Sequence, residues 1–140
     1  MTKKILALLL AALFVMAACG GDDDPKPEAA GGRGECSAAE PEADPVGLPA
    51  DFPLPAEVTF TDSTEAGPSF IIAGYFQADL EEAFPAYKDA FEASDYDVVK
   101  DEQEENDAEI FFDNGKANGQ VNMFGECDGR TKLRITIRPS

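Results

Sequence analysis

Asp79-Leu-Glu-Glu-Ala-Phe-Pro-Ala-Tyr-Lys-Asp-Ala-Phe-Glu92 is the stretch on which the fold class turns. Leu80, Phe84, Tyr87 and Phe91 recur at spacings of 4, 3 and 4, which lays four apolar side chains along one face of an α-helix. Glu81, Glu82, Asp89 and Glu92 fall on the other side. Asp79 followed three residues later by Glu82 matches a capping box and predicts the N-cap at Asp79. Pro85 breaks the pattern, because it removes a backbone donor one turn in; it predicts a kink, or a helix that begins properly only there. An aromatic stripe of this kind needs a second layer to cover it.

The flanking sequence supplies that layer as strands. Val58 and Phe60 alternate with Thr59 and Thr61, the period of a half-buried strand. Ser63–Pro68 reads as a turn, with Ser69–Phe76 returning antiparallel. Beyond the helix, strand patterns cover Tyr96–Lys100, Ala108–Phe112, Gln120–Phe124 and Thr131–Arg138. The last alternates cleanly, with Leu133, Ile135 and Ile137 on one face and Lys132, Arg134, Thr136 and Arg138 on the other. The prediction is an α+β domain of order ββαββββ, one helix packed on an antiparallel sheet.

The final hairpin is the most constrained element. A two-residue Asp128-Gly129 loop would set Cys127 opposite Arg130 and so Met123 opposite Arg134, mixing apolar with charged residues on both faces. A three-residue loop, Cys127-Asp128-Gly129, sets Glu126 opposite Arg130, Met123 opposite Leu133 and Phe124 opposite Lys132. That register is the expectation, with Gly129 at the left-handed loop position.

Val46-Gly-Leu-Pro-Ala-Asp-Phe-Pro-Leu-Pro-Ala56 opens the folded part. Pro49, Pro53 and Pro55 forbid a helix, and Leu48, Phe52 and Leu54 are expected to lie on the domain. The segment 20–45 has no apolar side chain larger than alanine except Cys36, so it cannot offset the entropy of ordering and reads as a solvated acidic spacer. As a flexible coil it would span roughly 25–30 Å.

Lys3 and Lys4 followed by an uncharged apolar run from Ile5 to Ala18 have the layout of a secretory signal. The run ends in Met16-Ala17-Ala18-Cys19, which resembles the lipobox of bacterial lipoproteins. That resemblance implies that residues 1–18 are a signal peptide, that Cys19 receives diacylglycerol and becomes the first mature residue, and that the protein is exported. It would then be anchored to the outer face of the cell membrane or to the outer membrane. The Asp51-Phe-Pro-Leu-Pro55 lead-in is similar to those of small exported lipoproteins, notably actinobacterial ones; the likeness covers about a dozen residues and implies no particular activity. On this division residues 19–45 are the lipidated cysteine and tether, and 46–140 a single domain.

With Cys19 lipidated, Cys36 and Cys127 remain. Two cysteines in an oxidising compartment are expected to pair, pinning the end of the tether to the domain.

Charge and composition exclude function classes. The chain carries a net −17, and residues 46–140 hold 7 basic against 20 acidic residues. Phosphate neutralisation needs Lys and Arg, so nucleic acid is not the partner, and anionic lipid gives no extra docking. The chain has no histidine, which removes His-based triads and His-ligated metal sites. No phosphate loop, dinucleotide fingerprint or nucleophile elbow occurs. No enzyme activity, cofactor or metal is therefore expected. The acidic run Lys100–Glu109 reads as a solvated connection between strands. Arg130, Lys132, Arg134 and Arg138 gather four of the domain's basic residues within nine positions; they are expected either to pair with acids such as Glu126 or Glu109, or, through Lys132, Arg134 and Arg138, to meet an anionic partner.

The functional expectation is a non-catalytic, envelope-anchored binding or structural module, its partner a protein or an envelope polymer and its membrane attachment the lipid on Cys19. The alternative is an inhibitor of a basic secreted hydrolase of lysozyme or protease type. The helix-on-sheet plan resembles cystatin-like inhibitor folds, a likeness of fold that conveys no function.

Overall fold

The computed structural model describes residues 34–42 and 44–140. The proposed signal peptide and Cys19 lie outside the described residues. Element order is β1 (Val58–Ala66), β2 (Ser69–Phe76), α1 (Leu80–Glu92), β3 (Asp97–Gln103), β4 (Asp107–Asp113), β5 (Ala117–Cys127) and β6 (Arg130–Pro139). The fold is α+β, as the periodicities require. All strand pairs are antiparallel, and the spatial order is β1-β2-β6-β5-β4-β3. The chain makes the β1–β2 hairpin, crosses on α1 to the far edge, and meanders back through β3, β4 and β5 until β6 closes the middle against β2.

The helix covers one face. Leu80, Ala83, Phe84, Tyr87 and Phe91 are buried beneath it, against Ile72, Ile110, Val121, Met123, Leu133 and Ile135 of the sheet. Each of these sheet residues is paired in register with another inward side chain, Ile72 with Ile135 and Met123 with Leu133 among them. The Pro-rich lead-in belongs to this core. Phe52 is 6% exposed, and its ring makes edge contacts with Phe91, Tyr96 and Phe112 at centroid distances of 5.8, 5.6 and 5.3 Å.

Several local expectations are corrected. The helix runs unbroken from Leu80 to Glu92 through Pro85, whose ring lies on the exposed face. The carbonyl that loses its partner, four residues back at Glu81, belongs to an exposed residue that water can reach. Asp79 is the N-cap but makes no side-chain cap bond. Its Oδ1 instead accepts from the backbone N–H of Gly129 at 2.9 Å, fastening the helix start to the β5–β6 turn. A tertiary donor has replaced the capping box. β1 extends through Ser63–Ala66, leaving only Gly67-Pro68 as the turn, and a bulge between Phe60 and Asp62 resets its alternation.

The last hairpin is a further correction. Cys127 pairs directly with Arg130 across a two-residue turn, not a three-residue loop. The expected strand register is nevertheless present: Met123 faces Leu133, Asn122 faces Arg134 and Phe124 faces Lys132. The one-residue shift is made by a bulge between Gly125 and Cys127, which absorbs Glu126. Only Gly129 of the turn has positive φ (73°). The turn is thus not the type I′ form that matches strand twist, and an added bulge increases the local twist.

Cys36 and Cys127 form a disulfide with a Cα–Cα distance of 5.2 Å. Around it the last residues of the expected spacer are held on the domain. Gly34 O accepts from Asp128 N at 3.2 Å, and Ser37 O accepts from Arg130 Nη2 at 2.8 Å. Further along, Glu42 N donates to Phe60 O and Ser63 Oγ donates to Glu42 Oε1.

Among the described residues the core contains one orphan. The Tyr87 hydroxyl is fully buried with no hydrogen-bond partner, and burial pushes its phenol up from the ordinary value. Tyr87→Phe is therefore expected to stabilise the domain by roughly 1 kcal/mol, since it removes a desolvated group that gains nothing in the fold. A raised phenol pKa also means that the folded form holds the proton more tightly than the unfolded one. That part of the stability is full below about pH 10 and is lost as pH climbs beyond it. Denaturant midpoints at pH 7 and pH 11 should fall less in Tyr87→Phe than in the parent; equal losses would mean Tyr87 ionises without cost.

Candidate functional site

The face of the sheet opposite the helix is uncovered among the described residues, and it gathers the predicted basic side chains. On β6 the outward residues are Lys132, Arg134, Thr136 and Arg138, with Lys132, Arg134 and Arg138 exposed. The strand rise places Lys132 about 7 Å from Arg134 and about 20 Å from Arg138. Lys132 and Arg134 make no ion pair among the described residues. Arg138 touches only the Ser69 hydroxyl, at 3.4 Å.

The neighbours of this row are set by register. Lys132 lies between Tyr75 and Phe124, Arg134 between Ala73 and Asn122, Thr136 between Ile71 and Gln120, and Arg138 faces Asn118. None of these flanking residues is acidic. Outward acids resume one strand further out, at Asp107, Glu109 and Asp113 of β4 and at Asp62 of β1. Glu126, at the turn, is neutralised by Arg130 Nε at 2.8 Å. Apart from Glu126, which is paired with Arg130, three adjacent strands carry cations and no acid on this face, on a chain whose net charge is −17.

Arg130 leaves the row. It is 7% exposed, with its guanidinium 4.8 Å from the Tyr75 ring centroid and its donors on Glu126 and Ser37 O. Its task is structural: it holds the strap beside the disulfide. Lys100 is also engaged. It sits over the Phe111 ring and donates to Glu102 at 2.7 Å, a bond that raises its pKa. Glu109 pairs in register with Asn122, not with an arginine.

At the Arg138 end the twisted sheet leaves a groove of about 490 Å³. Val99, Phe111 and Gly119 are among its lining residues, and Ser69, Asn118, Gln120, Arg138 and the carboxylate of Asp113 bring polar groups to it. Gly119 is required there, because a Cβ would collide with the Thr136 carbonyl of the neighbouring strand. Midway along the face, Asn122 is 7% exposed. Its Oδ1 accepts from Gln120 Nε2 at 3.2 Å, while its Nδ2 has no partner.

Lys132, Arg134 and Arg138 are brought together as the alternation of β6 implies. The amides were not legible as part of a site. Asn118-Gly119 looks like a turn in the sequence, and only the length of β5, from Ala117, carries that pair into the sheet. Among the described residues no group of three or more cysteine and carboxylate side chains stands close enough to hold a metal ion. Comparison with protein-family models, with curated proteins and with solved structures finds no match for this chain.

Proposed function

We propose that this protein is a non-catalytic, lipid-anchored envelope protein whose domain offers its open sheet face to an anionic partner. The observation that carries the reading is the cation row of β6 within three strands free of unpaired outward acids. On a chain this acidic, a positive strip with two unpaired cations has no role in neutralising neighbours. The lipobox at Cys19 supports the anchor, and the Cys36–Cys127 bridge is compatible with export. The bridge leaves 16 residues, 20–35, between lipid and domain.

Two measurements test it. Cys19→Ser is expected to leave the protein as an uncut precursor or release it from membranes; a variant that still fractionates as mature membrane-bound protein sinks the anchor. Titrating the isotopically labelled full chain with dextran sulfate at low salt should shift amide resonances along β6, β5 and β2. Replacing Lys132, Arg134 and Arg138 together by Gln should abolish those shifts while the melting temperature stays put. An unperturbed β6 in the parent would reduce the row to a structural role.

A second reading is favoured by a different feature. The β3–β4 hairpin exposes Asp101, Glu102, Glu104 and Glu105 at the sheet edge, a surface suited to a cationic protein such as a basic hydrolase. Inhibition of such an enzyme, lost on neutralising these acids and unchanged on neutralising β6, would select it.

A further inference from the structure

We infer that the occupant of the open face is an acidic polysaccharide, a proposal that rests on the anionic contact just described and specifies its chemistry. Charge alone would admit an acidic protein, an anionic bilayer or a charged glycan, and the side chains between the cations separate them.

A protein interface needs a core of apolar and aromatic anchors around which water is excluded. The exposed large hydrophobic residues among the described ones are Val46, Val99 and Phe124, and only Phe124, 42% exposed, lies on the three central strands. A bilayer surface would demand more exposed apolar side chains than the one ring these strands present. What the face does offer, between and beside the cations, is hydroxyl and amide chemistry. Thr136 lies between Arg134 and Arg138, and Asn118 and Gln120 face Arg138 and Thr136 across the strand pair. A sugar chain with carboxylate substituents presents the complement: hydroxyls that both donate and accept, and anions at intervals.

The two ends of the row also differ in a way that suits a chain lying across the strands' length. At one end Phe124 stands open beside Lys132, an aromatic face whose negative quadrupole attracts polarised C–H bonds of a sugar ring. At the other, the groove beside Arg138 is lined by the amides of Asn118 and Gln120 together with Phe111, Val99 and Asp113. The distance from Lys132 to Arg138, about 20 Å, accommodates several sugar units, so binding should grow with chain length until the row is filled.

The test uses the full chain in detergent micelles, titrated calorimetrically with polygalacturonate, neutral dextran, poly-L-glutamate and phosphatidylglycerol vesicles at two salt concentrations. Polygalacturonate is expected to bind, dextran to give no heat, and polyglutamate to bind at least about tenfold more weakly. Neutralising Lys132, Arg134 and Arg138 together should cost roughly tenfold or more in affinity for polygalacturonate, with the larger loss at low salt. Phe124→Ala and Asn118→Ala should weaken polygalacturonate and leave any polyglutamate binding unchanged, with melting temperatures held as the check on folding. Equal affinity for the two polymers, indifferent to Phe124 and Asn118, overturns the glycan and leaves the anionic contact standing. Preference for the vesicles that persists in Cys19→Ser protein, which has no lipid to insert, and is lost on neutralising the three cations overturns it in favour of lipid. No binding to any of the anionic probes overturns both.

Discussion

Replacing Cys36 and Cys127 together by serine is expected to lower the stability of the domain by about 4–5 kcal/mol, the loop-closure entropy of a cross-link spanning 91 residues. Domains of this size gain only about 5–15 kcal/mol from folding, so the bridge accounts for a large share of the total. The melting temperature should fall by roughly 15–30 °C. The effect is expected to act mainly through the unfolded chain, because few other contacts hold the strap: Gly34 O and Ser37 O accept one bond each near the bridge. A denaturant titration of the parent with and without reductant reads the same quantity without mutation. A melting temperature that moves by less than about 3 °C on reduction would mean that the strap closes the loop without the bridge.

Phe52→Ala should cost about 3–5 kcal/mol, the range for truncating a buried aromatic residue. Phe52 belongs to no helix or strand, and in sequence it sits between prolines where a surface lead-in would be expected to tolerate change. In the fold its ring is the hub on which Phe91 of the helix, Tyr96 and Phe112 of the sheet converge. Truncation leaves a cavity bounded by four different segments, and rigid aromatic neighbours collapse poorly into such a space. Phe124→Ala is the matched control. The same substitution on the open face removes a ring that packs little and should change stability by no more than about 0.5 kcal/mol. If the two variants unfold at similar denaturant concentrations, the Pro-rich segment is decoration and not core.

The helix and sheet were legible because both have periods that survive in the linear chain. Leu80, Phe84, Tyr87 and Phe91 cannot share a face in any other regular structure, and Leu133, Ile135 and Ile137 cannot do so in a helix. The basic row was legible for the same reason, since the residues between the buried ones of β6 must point the other way. Other features were not. The Asp79 carboxylate had a local donor within reach and took a distant one, Gly129, because packing had already brought the turn over the helix start. At the last hairpin the facing of side chains was readable but the device was not. A bulge at Glu126 and a longer loop produce the same register downstream, and only the backbone geometry around Gly129 separates them.

By itself, then, the sequence determined which residues of α1 and β6 are inward and which outward, that a single helix must lie on an antiparallel sheet, and that Cys36 and Cys127 were available to each other. These follow from periodicity and from composition, which are local properties. The tertiary structure alone decided the strand order that places β6 between β2 and β5, and with it the functional surface. Strand β2 had to meet the β5–β6 hairpin before Tyr75 joined Asn122 and Phe124 beside the cations, and before the acids of β1 and β4 were set one strand away. Pairing between strands distant in sequence leaves no period in the chain, because it is chosen by the fit of whole faces and not by any residue's own preference.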